Sequence, residues 1–316
     1  MDDTDRKLMF LVYENPRMHV RELASRLGIS RQAVHRRMQV LKEIGVIQGA
    51  TAGISVPYLD AVPVIVFGRS RAASIEETLS ILGESEFTRR AVVAGGNFLY
   101  VVGLLRDISE LDNYSEFVKR AAEIPEPTVG IYSLDEELLP NFTVDGIGKR
   151  KQSYRELSPL DIRIIASLKD DARRSIANIA EMVGASAKTV RRHLENMISE
   201  GSLDLYAHED LPLAGDMLFV MHVNLRDGAD KIEVGKRLLS KSLFQDQFVR
   251  AFINLPGFLH WAFWSADIAQ VRKALREVGE DEDVLSAMPN FVFLERIYPT
   301  WRDKLPAVGR RPSKKA

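Results

Sequence analysis

Helical spacing of hydrophobic residues dominates the first 56 positions of the 316-residue chain. It predicts three helices, over residues 2–14, 19–27 and 31–44. Gly28 follows the second helix, where a left-handed backbone ends a helix without strain, and Ser30 precedes the third as an N-cap. Two helices joined by a short glycine turn are typical of a helix-turn-helix, and Val46, Ile47 and Thr51–Ser55 are predicted to add a small wing.

From Pro57 the pattern changes to short β-branched runs separated by helical segments. The predicted elements are a strand over 62–68, a helix over 75–83, a hairpin over 91–105, a helix over 108–122 and a strand over 128–134. This βαββαβ order is that of a ferredoxin-like domain, in which an antiparallel sheet lies under two helices. The open edges of such a sheet favour dimerisation through strand pairing.

The whole arrangement occurs twice. Leu23–Leu41 aligns without gaps with Ile179–Met197, at an offset of 156 residues that also matches Asp5 with Asp161, Arg17 with Arg173, Gly28 with Gly184, Ser30 with Ser186 and Arg36 with Arg192. A second βαββαβ pattern follows over residues 218–298, and its last strand is predicted over 291–298. A repeat of this length indicates duplicated modules. The predicted fold class is therefore α+β, with two winged helix-turn-helix domains and two ferredoxin-like domains in tandem.

The changes of pattern also predict the domain boundaries. The domains are a winged helix-turn-helix over 1–56, a ferredoxin-like domain over 57–142, a basic linker over 143–156, a second winged helix-turn-helix over 157–210, a second ferredoxin-like domain over 211–300 and a basic tail over 301–316. The linker contains the basic, glycine-containing sequence DGIGKRKQSYR. It is interpreted either as a solvated connection or as an arm that follows the phosphate backbone.

Composition narrows the classes of function. The absence of cysteine excludes disulfides, iron–sulfur clusters and thiol catalysis. Hydrophobic runs fall short of the ~20 residues that a membrane-spanning helix needs, so a cytoplasmic protein without membrane contact is predicted. The net charge is only −1, yet basic residues cluster in residues 31–42 and 188–193. Localised basic faces on a neutral chain are typical of a modular nucleic-acid binder.

The clustered basic residues fall on the third helix of each helix-turn-helix. A helix fits the major groove, where Arg and Gln side chains reach base edges and other basic groups meet phosphates. Double-stranded DNA is therefore the predicted partner, and the predicted contact residues are Ser30, Arg31, Gln32, His35, Arg36 and Arg37 in copy one, and Ser186, Lys188, Thr189, Arg191 and Arg192 in copy two. The first set favours base reading and the second a backbone clamp. The alternative is a solvated helical bundle with a basic face.

Two stretches carry a family resemblance. ENPRMHVRELASRLGISRQAVHRRMQVLKEIGVIQG, followed by a ferredoxin-like half with GGNFLYVVGLLRDISEL, resembles the Lrp/AsnC (feast/famine) transcription regulators. The resemblance implies a sequence-specific regulator whose ferredoxin-like (RAM) domains form homo-oligomers and bind a small effector. In that family a Gly-Asp-aromatic-Asp turn helps hold an amino acid, but the matching positions here lack both carboxylates in both copies. Only Gly95, Gly96 and Asn97 are carried over as a candidate effector turn.

An enzyme of the same architecture is the alternative function. Siroheme decarboxylases look similar in their paired modules, and they would need His and Arg side chains in an aromatic pocket. His260, Arg250 and the aromatic strand Phe258–Trp264 form the only local cluster of this type. Core packing and an interface with the other half explain this strand more simply, since a single His on an apolar strand is usually a core residue. The prediction is a regulator without enzymatic activity, catalytic residues, cofactor or metal site.

Overall fold

The computed structural model describes residues 2–133, 155–209, 217–241, 247–265 and 267–308. The helices are α1 Asp3–Glu14, α2 Val20–Leu27, α3 Arg31–Glu43, α4 Ile75–Leu82, α5 Leu111–Ala121, α6 Pro159–Leu168, α7 Ile176–Val183, α8 Ala187–Ser199, α9 Lys231–Ser240, α10 Ile268–Gly279 and α11 Trp301–Val308. The strands are β1 Ile47–Ile54, β2 Val62–Arg69, β3 Thr88–Ala94, β4 Phe98–Leu105, β5 Thr128–Ile131, β6 Leu203–Glu209, β7 Met217–Leu225, β8 Gln247–Ala251, β9 Phe258–Ser265 and β10 Val284–Ile297.

These elements form two units, and each unit takes segments from both copies of the repeat. The first contains Met1–Leu59, Asn141–Gly215 and Arg302–Ala316, and the second contains Asp60–Pro140 and Asp216–Trp301. The mixed helix and sheet content confirms the α+β class. Most of the predicted linker and the end of the predicted tail lie outside the described residues. In the described ranges, no helix is long and apolar enough to cross a membrane.

Helices α1–α3 and α6–α8 of the first unit begin and end close to where the sequence predicts, whereas α11 lies in the stretch predicted as a basic tail. Asp2 caps α1 in a capping box, and Ser30 caps α3 by accepting a hydrogen bond from the Ala33 amide. Gly28 and Gly184 both adopt φ +66°, which ends α2 and α7 in the left-handed conformation that favours glycine. These local signals confirm three helices in each copy.

The predicted wing is a single strand in each copy and does not form a hairpin within one copy. Val46 precedes one continuous strand, β1, which pairs antiparallel with β6 of the second copy in a two-stranded sheet. A lone strand leaves its backbone hydrogen-bonding groups unpaired, and the second copy supplies a strand of matching pattern. The wings of the two copies therefore complete each other.

The hydrophobic core of the first unit crosses the repeat boundary. Ala52 and Ile54 of β1 lie in one buried cluster with Ile162, Ile165 and Leu168 of α6. Tyr58 of the first copy also accepts a hydrogen bond of 3.1 Å from the amide of Leu157. The helix-turn-helix of the second copy is thus stabilised by β1 and Tyr58 of the first copy.

The second unit is an eight-stranded antiparallel sheet in the order β5-β2-β4-β3-β10-β7-β9-β8. Its two halves have the predicted βαββαβ order, and β3 pairs with β10 where they join. At the outer ends an isolated bridge links Tyr132 to Phe252, and the Ser133 amide donates to the Ala251 carbonyl at 2.8 Å. The sheet therefore closes on itself. The sheet edges that favoured pairing with another copy are thus paired between the two halves of this chain.

The two faces of this sheet have different compositions. Each half packs α-helices against one face over a hydrophobic cluster. In β9, Leu259, Trp261 and Phe263 belong to that cluster, whereas Phe258 and His260 lie on the opposite face against Phe67 of β2. The aromatic strand thus provides both core packing and the interface between halves, as predicted.

Close packing around Gly103 of β4 generates a stability prediction. A Cβ at Gly103 would lie 2.3 Å from the ring of the fully buried Tyr114, so Gly103→Ala forces the ring or the strand to move. We expect the free energy of unfolding to fall by about 1–3 kcal/mol. Gly95→Ala is the matched control, since a Cβ there meets nothing within 4 Å. Urea unfolding of both variants checks this, and equal stabilities would contradict it.

Candidate nucleic-acid interface

The third helix of the first copy presents a polar face opposite its buried face. Val34, Met38 and Leu41 are buried in α3. Arg31, Gln32, His35 and Arg36 are exposed, and all four lie in the first two turns after the Ser30 cap. This is the arrangement that the sequence predicted for a recognition helix.

The third helix of the second copy has the same construction with more positive charge. Ser186 caps α8, and its hydroxyl lies 2.9 Å from that of Thr189, which is therefore part of the cap. Lys188, Arg191 and Arg192 are exposed. Within the part of the chain that the structure describes, none of these three residues forms an ion pair, and neither do Arg31 and Arg36. Such cations remain available for anionic groups such as phosphates.

Arg37 differs from the other predicted contact residues. Its guanidinium binds the carboxylates of Asp2 at 2.8 Å and Asp5 at 2.7 Å, both at the start of α1. Hydrogen bonds from the Asp5 amide and from Arg37 lower the pKa of Asp2. Arg37 therefore links α3 to the start of α1 through two ion pairs, which already engage its guanidinium group.

In the second copy, the aligned residues of the third and first helices also contact each other, and there the carboxylate is buried. His193, which aligns with Arg37, places Nδ1 2.8 Å from Oδ1 of Asp161, and Arg155 donates to the other oxygen at 2.8 Å. Asp161 is fully buried. Burial raises its pKa, but hydrogen bonds from Arg155, Ser158 and His193 outweigh this effect and hold the pKa at about 2. The sequence signal for this contact is the alignment of Asp5 with Asp161, although it does not show that the carboxylates orient the recognition helices.

Contacts between the two copies fix one recognition helix relative to the other. Arg17 donates to the carbonyls of Ala172 and Arg174, the latter at 3.0 Å. Arg173, which aligns with Arg17, donates to the carbonyl of Pro16 at 2.5 Å. Each copy thus anchors the loop between the first two helices of the other.

The candidate effector turn joins β3 to β4. Gly96 and Asn97 adopt φ +69° and +58°, and all three residues of the turn are exposed. Two of its backbone groups hold it in place, because the Gly95 amide donates to Phe291 and the Asn97 carbonyl accepts from Ser70. Effector binding at Gly95, Gly96 and Asn97 stays a prediction.

A polar cluster lies on the inner face of the eight-stranded sheet. Asn290 donates to the Tyr100 hydroxyl at 2.7 Å, and the same hydroxyl is hydrogen-bonded to Nε2 of His222 at 2.7 Å. His260 stacks on His222 with ring centroids 4.8 Å apart, and Arg250 lies directly opposite His260 on β8. The sequence indicated His260 and Arg250 but missed His222, which pairs with His260 from the neighbouring strand β7, and Tyr100, which comes from β4 of the first copy.

Burial keeps both imidazoles of this cluster neutral. It lowers the pKa of His222 to about 4. Burial, together with the neighbouring His222, holds the pKa of His260 well below its usual value. No group of side chains suited to holding a metal ion occurs among the residues described.

The similarities to known proteins correspond to the individual copies of the repeat. A family model described as winged helix-turn-helix DNA-binding matches residues 1–48 and again 157–201. PH0061 of Pyrococcus horikoshii, named an uncharacterised HTH-type transcriptional regulator, is 31% identical over 124 residues, which cover 38% of this chain and 84% of that protein. The HTH-type transcriptional regulator LrpA of the same organism is 30% identical over 100 residues, covering 31% and 71%. One relative thus corresponds to one copy of the repeat.

A solved structure resembles the tandem arrangement as a whole. The siroheme decarboxylase NirDL has a TM-score of 0.60 and covers 97% of each chain at 11% sequence identity. At this identity the likeness shows the fold alone.

The unequal carboxylate contacts predict unequal effects on stability. Asp161→Asn leaves Arg155 and His193 without a buried anion, so we expect the free energy of unfolding to fall by about 3 kcal/mol. Asp5→Asn is the matched control at the aligned position, where the ion pair with Arg37 is partly exposed and we expect a loss below about 1 kcal/mol. Chemical denaturation of both variants measures the difference. A larger loss for Asp5→Asn would contradict this account.

The buried imidazoles predict a decrease in stability with acid. Between pH 6.5 and about 4, His222 binds a proton in the unfolded chain but not in the folded one. Its contribution is therefore complete above pH 6.5 and is lost as the pH falls toward 4, by about 3 kcal/mol. Thermal unfolding across this range should show a smaller slope for His222→Phe than for the natural protein. The exposed His35→Gln is the control, and identical slopes for all three proteins would refute the assignment.

Proposed function

Because this chain belongs to the Lrp/AsnC family of helix-turn-helix transcriptional regulators, we propose that it binds double-stranded DNA through both of its recognition helices, α3 and α8. The observation that carries the proposal is the pair of aligned helices, each with exposed cations that have no protein partner in the described residues. Phosphates and base edges provide the missing acceptors. Transcriptional regulation follows from sequence-specific binding.

The two helices serve different purposes in this proposal. Gln32 and Arg36 on α3 offer the amide and guanidinium groups that read adenine and guanine in the major groove. Lys188, Arg191 and Arg192 on α8 lack an amide neighbour and fit phosphates. Ser30, Ser186 and Thr189 set the helix starts, and Arg37 orients α3 from its contact with α1.

Homo-oligomers and a small effector bound at Gly95, Gly96 and Asn97 remain predictions from the family resemblance. The sheet edges that suggested oligomers are paired within the chain. Association of several chains therefore has to use other surfaces. A cytoplasmic location is likewise a prediction.

A siroheme decarboxylase is the second candidate function. It is favoured by the buried cluster of Tyr100, His222 and His260, with Arg250 opposite, on a fold that NirDL shares. The exposed basic faces of α3 and α8 have no use in such a reaction, which favours the regulator. We expect anaerobic incubation with siroheme to give neither binding nor product. Decarboxylated product would establish the enzyme.

Substitutions on the recognition helices test DNA binding. Using a fragment selected from a random DNA library, we expect Arg36→Ala to weaken binding by about 1–3 kcal/mol and to relax sequence preference. Arg192→Ala should weaken all sequences about equally and make the salt dependence shallower by about one unit of slope.

The control for this experiment is Arg120→Ala, an exposed arginine on α5 of the second unit. Salt-titrated fluorescence anisotropy measures all three variants. If both Arg36→Ala and Arg192→Ala bind DNA with unchanged affinity, the proposal that α3 and α8 bind DNA is wrong.

A further inference from the structure

We propose that the DNA-binding unit of this protein is a single chain, in which the two helix-turn-helix copies form a complete two-fold pair without a second chain. The inference rests on the proposed DNA binding and adds its stoichiometry and the geometry of its site. Three sets of contacts within the chain support it.

The pairing register of β1 with β6 shows that the two copies are related by a local two-fold axis. In the β1–β6 ladder Ala50 pairs with Ala207, and Thr51 pairs with Tyr206. At the repeat offset of 156 residues, Ala50 aligns with Tyr206 and Thr51 with Ala207. Exchanging the copies therefore exchanges these two pairs, and it likewise exchanges the flanking pairs Gly49–His208 and Ala52–Leu205, so the central part of the ladder is unchanged. The local two-fold axis passes between residues 50 and 51, as in an isologous dimer interface.

The loop contacts obey the same symmetry. Arg17 and Arg173 each reach backbone carbonyls of the other copy, and they are aligned residues. The symmetry is not complete, because the Ala172 amide donates to the Ala50 carbonyl at 2.7 Å, whereas the aligned residue Pro16 has no amide hydrogen. The interface between the copies thus keeps an approximate two-fold arrangement, although the aligned residues on its two sides differ.

The ferredoxin-like unit is closed in the same way. Its halves join through β3 and β10 on one side and through the Tyr132–Phe252 bridge on the other. In both units, the contacts by which one copy meets the other are made within the chain. A second chain finds these interfaces occupied.

The proposed binding mode has a defined DNA geometry. Two-fold related recognition helices match two half-sites in inverted orientation, with centres about one helical turn apart. Because α3 and α8 carry different side chains, the half-sites need not have the same sequence. Joining two readers in one chain also makes the second contact intramolecular, so that binding does not require prior association of chains.

A complementation experiment separates one chain from two. One variant carries Arg31→Ala, Gln32→Ala and Arg36→Ala, and the other carries Lys188→Ala, Arg191→Ala and Arg192→Ala. All six positions are exposed, so both proteins should fold. On the library-selected fragment we expect each variant to lose at least about tenfold in affinity and an equal mixture to recover none of it. Recovery by the mixture would overturn the proposal, because it requires two chains on one site.

Native mass spectrometry of the natural protein on the same fragment gives the stoichiometry. We expect one chain per fragment and a binding curve without cooperativity. Insertion of five base pairs between the half-sites should lower affinity at least about tenfold, since it turns one half-site to the opposite side of the duplex. Two chains per fragment, or indifference to the insertion, would contradict the proposal.

A crosslink tests the interface without DNA, so that failure of the inference differs from failure of DNA binding. The natural chain has no cysteine. Ala50→Cys and Ala207→Cys together place thiols at directly paired positions of β1 and β6. Mild oxidation of the dilute double variant should give a crosslinked species of monomer mass, and the single variant Ala50→Cys should give none. A crosslinked dimer would overturn the single-chain interface even if the protein binds DNA.

Discussion

Strand edges that cannot remain unpaired determine how this molecule is put together. β1 and β6 are single strands, and neither copy of the helix-turn-helix provides a neighbour for its own. Backbone amides and carbonyls in a buried setting need partners, so the two copies satisfy each other. The same requirement closes the eight-stranded sheet through β3 with β10 and through the ends of β5 and β8. Within the first unit, the pairing of β1 with β6 holds the two helix-turn-helix copies, and with them the recognition helices, in place.

Local chemistry made much of the fold predictable. Ser30, Gly28 and the capping box of Asp2 place helix ends within a residue or two, and alternating apolar runs locate most strands. β10 is the clearest shortfall, since it was predicted over 291–298 but begins at Val284. Its first half includes Pro289 and Asn290, which weaken the strand pattern. Proline is tolerated there because the β10–β3 ladder begins only at Val292 and leaves this edge without a strand partner.

The site was predictable only where neighbours in sequence share a helix face. The exposed face of α3 could be assigned from spacing alone, but the ion pair of Arg37 with α1 depends on the angle at which two helices pack. Tyr100, His222 and His260 meet because a closed sheet places β4, β7 and β9 around one interior. No periodicity in the sequence encodes that closure. The repeat offset is the one long-range signal, and it aligns residues without showing that the aligned segments touch.

The break in symmetry at Pro16 has an evolutionary meaning. In a regulator assembled from identical chains, every substitution appears on both sides of the axis, so an unfavourable change at the interface or at a recognition helix is applied twice. In this chain each substitution appears once. Pro16 has no amide hydrogen, whereas the aligned Ala172 donates to Ala50, and the interface accommodates this difference. Duplication within one gene therefore releases each half to change separately, and a regulator built this way can follow an operator whose two halves drift apart.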